Sequence, residues 1–298
     1  MQNDCLNLDI NYYLGENSNH YKEIENYEQH LADYRMPDLP DLWGLGRFHS
    51  TAASTEDFVK AGLDQCFKSN DLENVDTIII CTPNTIEQES FEPIVLDFLK
   101  DLINSGLSAV FSVSNVNCTN FAIAIELACS LLQSGRKDVL IIGAEIGFVG
   151  QSRLTNYAIF SDFVGSLRVN RNSASQFKIH SRSNASVLEE IYANSIEAFD
   201  KANEVNLNSH MQQVALNINE INKVYPMNLF LPLLSVKYKK LGFKDEQVHN
   251  ATVQTRGHCW GFDPFISLKS ESDTLPTGLF LLNSQAAGRS SNVLITKE

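Results

Sequence analysis

The stretch FSVSNVNCTNFAIAIELACSLLQSGRKDVLIIGAE, Phe111–Glu145, decides the fold. With the residues just before it, SAVFSVS reads as a strand, short and rich in β-branched and aromatic side chains. FAIAIELACSLLQSG follows after a polar turn. It is apolar almost all round, so it predicts a helix in the interior rather than on the surface, ending at Gly135. KDVLIIGAE is a near-continuous apolar run, the pattern of a strand in a covered parallel sheet. Cys118 stands where the first strand gives way to the helix.

Upstream, VDTIIICT (75–82) has the same buried-strand character. ESFEPIVLDFLKDLINSG has helical spacing at Ile94, Leu96, Leu99 and Leu102 and stops at Gly106. Strand, helix, strand, helix, strand is an α/β pattern with parallel pairing. Downstream, ASVLEEIYANSIEAFDKAN and SHMQQVALNINEINKV read as two helices. LPLLSVKYKKLGF reads as a third, with Pro232 in its first turn. ATVQT, TGLFLLNS and SSNVLIT read as strands. This order suggests two related α/β halves, 1–170 and 171–298, although no internal sequence repeat is visible.

The chain has 298 residues, 43% of them hydrophobic, enough for a large core. The net charge of −13 repels nucleic acid and anionic membranes. No apolar run reaches about 18 residues, so no membrane span is expected. MQNDCLNLDI lacks the plan of a signal peptide, which makes the cytoplasm the expected location. The six cysteines Cys5, Cys66, Cys81, Cys118, Cys129 and Cys259 form no CxxC pair. That speaks against a zinc site or a disulfide framework and for free thiols. Cys66, Cys81 and Cys129 read as packing.

Cys118 differs by its setting. The orphan N–H groups and positive end of a helix starting beside it would favour thiolate over thiol. The same backbone can stabilise an oxyanion. Thr119 and Asn120 give the helix a polar, cap-compatible start. The plainer alternative is a buried, inert cysteine.

This segment resembles the active-site segment of the β-ketoacyl-acyl-carrier-protein synthase III family, of thiolase fold. There a strand, an Asn-rich turn, Cys, a small residue and Phe lead into a long helix and VLVIGAE. LWGLGRFHSTAASTEDFVKAGL, RLTNYAIFSDFVGSLRV, VYPMNLFLPLLSVKYKKLG, RGHCWG and LFLLNSQAAGRSSNVLI resemble further family segments in order. The resemblance covers most of the chain and is tightest at Cys118. It implies two duplicated α/β halves in a layered α-β-α-β-α arrangement. It implies that Cys118 takes an acyl group from an acyl-carrier-protein phosphopantetheine or coenzyme A thioester, with no permanently bound cofactor. The oxyanion hole would be the Cys118 N–H with one from the Ala287–Gly288 turn.

The family's Cys-His-Asn set is altered here. Its His position falls on Met227, or on Asn228 if the alignment slips by one, and its Asn position falls on His258. GHCWG also resembles the GHxxG turn of elongating ketosynthases and thiolases, whose histidine lies beside the nucleophile. His258 is therefore expected to be the general base and acid, against the alternative of a structural histidine in that turn. The other six histidines fall outside the family's catalytic positions, and His249 reads as part of a surface turn. Asn228 is a possible orienting or substrate contact. Asp263 reads first as a helix cap before Pro264 and second as a carboxylate that could orient His258.

Lys237, Lys239, Lys240 and Lys244 make a basic cluster where the family receives its acidic carrier protein, or simply a solvated helix end. A dimer through the SAVFSVS strand is expected, with itself or a related subunit. Decarboxylative condensation needs two side-chain donors at the enolate oxygen, and one histidine supplies at most one. Acyl transfer to an alcohol or amine, in specialised metabolite biosynthesis, is the favoured chemistry. Carbon–carbon condensation and a non-catalytic partner subunit are the alternatives.

Overall fold

The computed structural model describes residues 6–68, 72–81, 88–100, 102–103, 106–147, 152–191 and 196–298. Cys5, Thr82 and residues 192–195 of the helix expected from Ala185 lie outside them. In chain order the elements begin with β1 (Leu6–Leu14), β2 (Asn17–His20), α1 (Tyr27–Asp33), α2 (Pro40–Trp43), β3 (Arg47–Ser50) and α3 (Thr55–Phe67). Next come β4 (Thr77–Cys81), α4 (Gln88–Leu99), β5 (Ala109–Val113), α5 (Asn120–Gln133), β6 (Asp138–Glu145) and β7 (Phe163–Asn170). The remainder is β8 (Phe177–Ser186), α6 (Ile196–Val214), β9 (Lys223–Tyr225), α7 (Leu231–Lys240), α8 (Val253–Arg256), α9 (Asp263–Ser270), β10 (Gly278–Ala286) and β11 (Arg289–Lys297). No helix among the described residues is long and apolar enough to cross a membrane.

One mixed sheet runs β5-β4-β6-β7-β1-β8-β11-β10-β9. β4 lies parallel to both β5 and β6, so Ile79 faces Phe111 on one side and Ile141 on the other. β7 returns antiparallel to β6, and β1 antiparallel to β7. The second half repeats the scheme. β9 is parallel to β10, β11 returns antiparallel to β10, and β8 is antiparallel to β11. Val248, bridged in parallel to Val224, occupies the place of β5. The halves meet through β1 and β8, which pair only at Leu6–Ile179 and Asn7–Lys178.

Alternation along the strands builds three cores. Ile78, Ile80, Leu140 and Ile142 face α3 and α4 in an outer core. Ile79, Cys81, Val139 and Ile141 face the centre, where α5 and α9 lie and Leu282, Val293 and Ile295 arrive from the other half. Val224, Leu281 and Leu294 meet α6 and α7 in the opposite outer core. The result is α-β-α-β-α layering. α5 buries one broad face, with Ala124, Ile125, Ala128 and Cys129 fully buried, but Glu126, Ser130 and Gln133 are exposed, so it is not the wholly interior helix its composition suggests.

Several local expectations change. α4 ends at Leu99, not at Gly106. The two helices expected between Ala185 and Val224 become the end of β8, the single helix α6, and strand β9. ATVQT is not a strand: Val253–Arg256 is a helical turn ended by Gly257 at φ 72°. It packs against β3 as a helical turn instead of extending its sheet, so its β-branched residues do not decide its state.

Candidate active site

Cys118 is delivered by a bend after β5. Asn115 and Asn117 take left-handed backbone, at φ 60° and 49°, a conformation asparagine tolerates better than most residues. Asn117–Thr119 forms a single 3-10 turn directly ahead of α5. Thr119 stands at the cap position but donates its hydroxyl to the Val116 carbonyl, 2.6 Å away, and makes no capping bond. Cys118 is partly buried. Burial pushes its thiol well above the usual range, and the carboxylates of Glu145 and Asp263 push it further. A helix end contributes about 0.3–1 kcal/mol, up to about 2 when partly buried. Burial and two carboxylates outweigh it, so the resting group is the thiol, contrary to the thiolate expectation.

The second turn carries His258. Gly257 is in left-handed backbone, and a Cβ there would sit 2.8 Å from the Ile159 carbonyl. The bare backbone lets residues 159–161 pair beside it: His258 N–H donates to Ile159 O at 2.6 Å, and Ser161 N–H to His258 O at 2.9 Å. The imidazole is fully buried. Phe160 packs against it with ring centroids 4.9 Å apart, Trp260 at 6.2 Å, and Tyr157 edge-on at 6.5 Å. Nδ1 bonds Asp263 Oδ2. Nε2 is buried and has no hydrogen-bond partner among the described residues.

Asp263 is fully buried at the first residue of α9. Its Oδ1 accepts the Cys259 N–H at 2.8 Å and an Arg256 N–H at 3.1 Å. Its Oδ2 accepts the Asn228 N–H at 2.9 Å together with His258. The cap position is Phe262, so the carboxylate serves the preceding turn and not the helix start. Burial pushes this carboxyl up, but His258, Arg256 and the Cys259 N–H together hold it below the usual carboxylate value.

The two turns touch. A Cβ on Gly261 would lie 2.3 Å from the Cys118 carbonyl oxygen, so only glycine lets the backbones meet. Cys118 joins the central apolar cluster to which Tyr157, Phe160, Trp260 and Phe262 also belong, and the Asp263 carboxylate acts on its thiol. The structure therefore brings Cys118, His258 and Asp263 to one place. Met227 is buried in the apolar cluster that Cys118 and Tyr157 also join. The turn also packs against β10 and β11, the two strands that Ala287 and Gly288 connect.

Other expected residues fall differently. Asn228 is buried and fully engaged: Nδ2 donates to Thr252 O and Gly257 O, and Oδ1 accepts from Thr252 Oγ1. It braces the His258 turn and is not free for a substrate contact. Lys237 is also buried, donating to Gln285 at 2.7 Å and 3.3 Å from Asp200, so it leaves the docking cluster. Its neighbours Lys239, Lys240 and Lys244 are exposed. His249 is not on the surface: Nε2 lies 3.1 Å from Thr252 Oγ1 and Nδ1 3.3 Å from Glu271. Arg256, Tyr157 and Glu145 were not anticipated. Only the spacing of Arg256 and Asp263 around His258 could have hinted at the first.

A scan against family models finds no match, and a search of curated proteins finds none. Solved structures do match. ChlB3, described as an acyltransferase, superposes with TM-score 0.79 at 13% identity over 98% of both chains. 3-Oxoacyl-[acyl-carrier-protein] synthase III from Aquifex aeolicus gives 0.75 at 18% identity, over 98% of this chain and 99% of that one. OleA from Xanthomonas campestris, crystallised with lauric acid and lauroyl-CoA, gives 0.80 at 12% identity, over 98% and 99%. The chain shares the thiolase fold of these proteins.

Proposed function

We propose that this protein is an acyltransferase that carries its acyl group on Cys118. The observation that carries the reading is His258, which engages Asp263 through Nδ1 and leaves Nε2 open on a turn in contact with the Cys118 turn. That is the arrangement of a nucleophile, a base and an orienting carboxylate.

The steps balance as follows. The Cys118 sulfur attacks the carbonyl carbon of an acyl thioester. A carbon–sulfur bond forms, the thiol proton passes to His258 Nε2, and the donor's carbon–sulfur bond breaks. His258 returns the proton to the departing thiolate. An alcohol or amine then attacks the acyl carbon and loses its proton to Nε2; the new C–O or C–N bond forms, the acyl carbon–sulfur bond to Cys118 breaks, and the proton passes from Nε2 to the departing sulfur to restore the thiol. Because the thiol is protonated at rest, proton transfer accompanies attack rather than preceding it. The oxyanion would sit on the Cys118 N–H and one from Ala287–Gly288.

The names of the structural relatives supply the donor classes, acyl-carrier protein and coenzyme A thioesters. Lys239, Lys240 and Lys244 remain available to an acidic carrier. β5 is a sheet edge with Val110 exposed, which supports pairing with a second copy or a related subunit. Carbon–carbon condensation is the second reading, favoured by the likeness to a synthase III. Buried, apolar Met227 weighs against it, since it cannot donate to an enolate.

Intact-protein mass spectrometry after incubation with acyl-coenzyme A and acyl-carrier thioesters tests the reading. Wild type should gain the acyl mass on Cys118, and Cys118→Ala should not. His258→Ala should load slowly and fail to transfer. A wild-type protein that never acquires acyl mass from either donor class overturns the proposal, and product connectivity separates C–O or C–N from C–C bond formation.

A further inference from the structure

We propose that Lys237 is a positioning residue: through Gln285 it fixes the β10–β11 hairpin, whose backbone N–H is expected to face the acyl group on Cys118. The inference rests on the acyl-cysteine reading and deepens it. Two residues, Ala287 and Gly288, join β10 to β11, since Ala286 pairs with Arg289. Gln285 therefore stands two residues ahead of that turn.

Alternation divides the hairpin's side chains between two faces. Ser284 points to the centre, its Oγ 3.5 Å from the carbonyl of Gly261, the glycine that meets the Cys118 turn. Asn283 and Gln285, with their cross-strand partners Asn292 and Ser290, point the other way, under α6 and α7. Farther from the turn this face is apolar, with Leu281 and Leu294. Near the turn it becomes polar and stays buried: Asn283, Gln285, Ser290 and Asn292 are each at most 2% exposed.

These groups form one network. Lys237 Nζ donates to Gln285 Oε1 at 2.7 Å and meets Asp200 at 3.3 Å. Gln285 Nε2 donates to the Tyr238 hydroxyl at 3.2 Å and to Asn283 Oδ1. Asn283 Nδ2 reaches Asn203 Oδ1 at 2.9 Å and Asn292 Oδ1 at 2.7 Å, and Ser290 Oγ donates to Asn203 Oδ1 at 3.0 Å. The tip is held separately, by the Val187 N–H donating to Gly288 O at 2.8 Å.

A well-packed apolar layer would be an equal or more stable filling here. The polar one even leaves Asn203 Nδ2 and Asn292 Nδ2 without hydrogen-bond partners among the described residues, a costly state. Directional bonds do what apolar contacts do not: they fix register and orientation. An oxyanion donor needs both, because it acts only when it stands about 2.7–3.1 Å from the developing charge. Lys237 brings the charged donor, so its bond to Gln285 is a strong link in the chain.

The test compares wild type with Lys237→Met/Gln285→Met, in which both partners become apolar and neither is left buried and unpaired. Single-turnover acylation of Cys118 by an acyl-coenzyme A should fall about tenfold or more at saturating donor, with the half-saturating concentration within about twofold. Iodoacetamide alkylation of Cys118, a displacement that develops no oxyanion, should keep its rate within about twofold. Amide hydrogen exchange over residues 284–290 should quicken about tenfold or more. A folded variant that acylates at the wild-type rate, or that loses acylation and alkylation in parallel, overturns the proposal. An unprotected 284–290 segment in wild type does so whether or not the variant folds. Exchange also separates this inference from the reading it rests on. If wild type never gains acyl mass but the variant quickens exchange at 284–290, the acyltransferase reading fails and the positioning role stands. Unchanged exchange removes the positioning role by itself.

Discussion

His258 engages Asp263 through Nδ1 and leaves Nε2 without a partner among the described residues, although both side chains are fully buried. An unpaired buried ring nitrogen costs about 1–3 kcal/mol, and folded proteins rarely keep one without a use. Asp263 meanwhile accepts four hydrogen bonds, three from Arg256, His258 and Cys259 in one turn and one from the Asn228 N–H. The cost at Nε2 is tolerated because the other end of the ring is held so firmly.

Asp263→Asn keeps the shape but leaves a single oxygen for four donors. His258 is then free to take the other tautomer. Acyl transfer should fall about 100-fold or more, and Arg256, left as an unpaired buried charge, should cost stability on the order of 3 kcal/mol. Single-turnover transfer and thermal unfolding check both. Unchanged transfer would mean that Asp263 only caps or packs.

Gly261→Ala puts a methyl group 2.3 Å from the Cys118 carbonyl oxygen. Relief requires the two turns to separate, at a cost of about 1–3 kcal/mol. Acylation of Cys118 should drop with the melting temperature. A variant as stable and as reactive as wild type would show that the turns do not rely on this contact.

The lysines divide by burial. Lys239→Glu with Lys240→Glu should raise KM for a carrier-bound donor and leave a coenzyme A donor unaffected. Lys237→Met should instead lower stability, because it strips a buried partner from Asp200 and Gln285. Parallel effects of the double charge reversal on both donors would remove the docking role.

His210 is buried against Ser181, and burial lowers its protonation point from 6.5 to about 4. The unfolded chain therefore binds the extra proton between those values and the folded chain does not. Stability is unaffected above pH 6.5 and declines as pH falls towards 4. At about 1.4 kcal/mol per unit the loss is on the order of 3 kcal/mol. Urea unfolding at pH 7 and pH 4 should show this extra decline in wild type relative to His210→Gln. Equal slopes in the two proteins would place the proton elsewhere.

Much of this could be read from the chain alone. The strand–Cys118–helix segment, the all-round apolar α5 and the cores of β4, β6, β10 and β11 are written in local periodicity and run length. A bare strand between two long helices needs both faces buried, and its residues say so. β1 was passed over because LNLDINYYL alternates apolar with polar residues, and nothing local tells that it lies between β7 and β8. His258 was legible as a base only through a family turn.

What the sequence could not decide is what its charged groups meet. Ser161 and Arg256 are 95 positions apart, and the Ser161 hydroxyl donates to the Arg256 carbonyl in the turn that carries His258. Long-range packing likewise turned Lys237, 48 positions from Gln285, from a docking residue into a buried one, whereas the Asp263–His258 bond spans five positions and took its meaning from the fold that buries both. Period and composition are properties of neighbouring residues. Burial and charge balance are properties of the packed molecule, because each depends on groups that only the fold brings within a few ångströms.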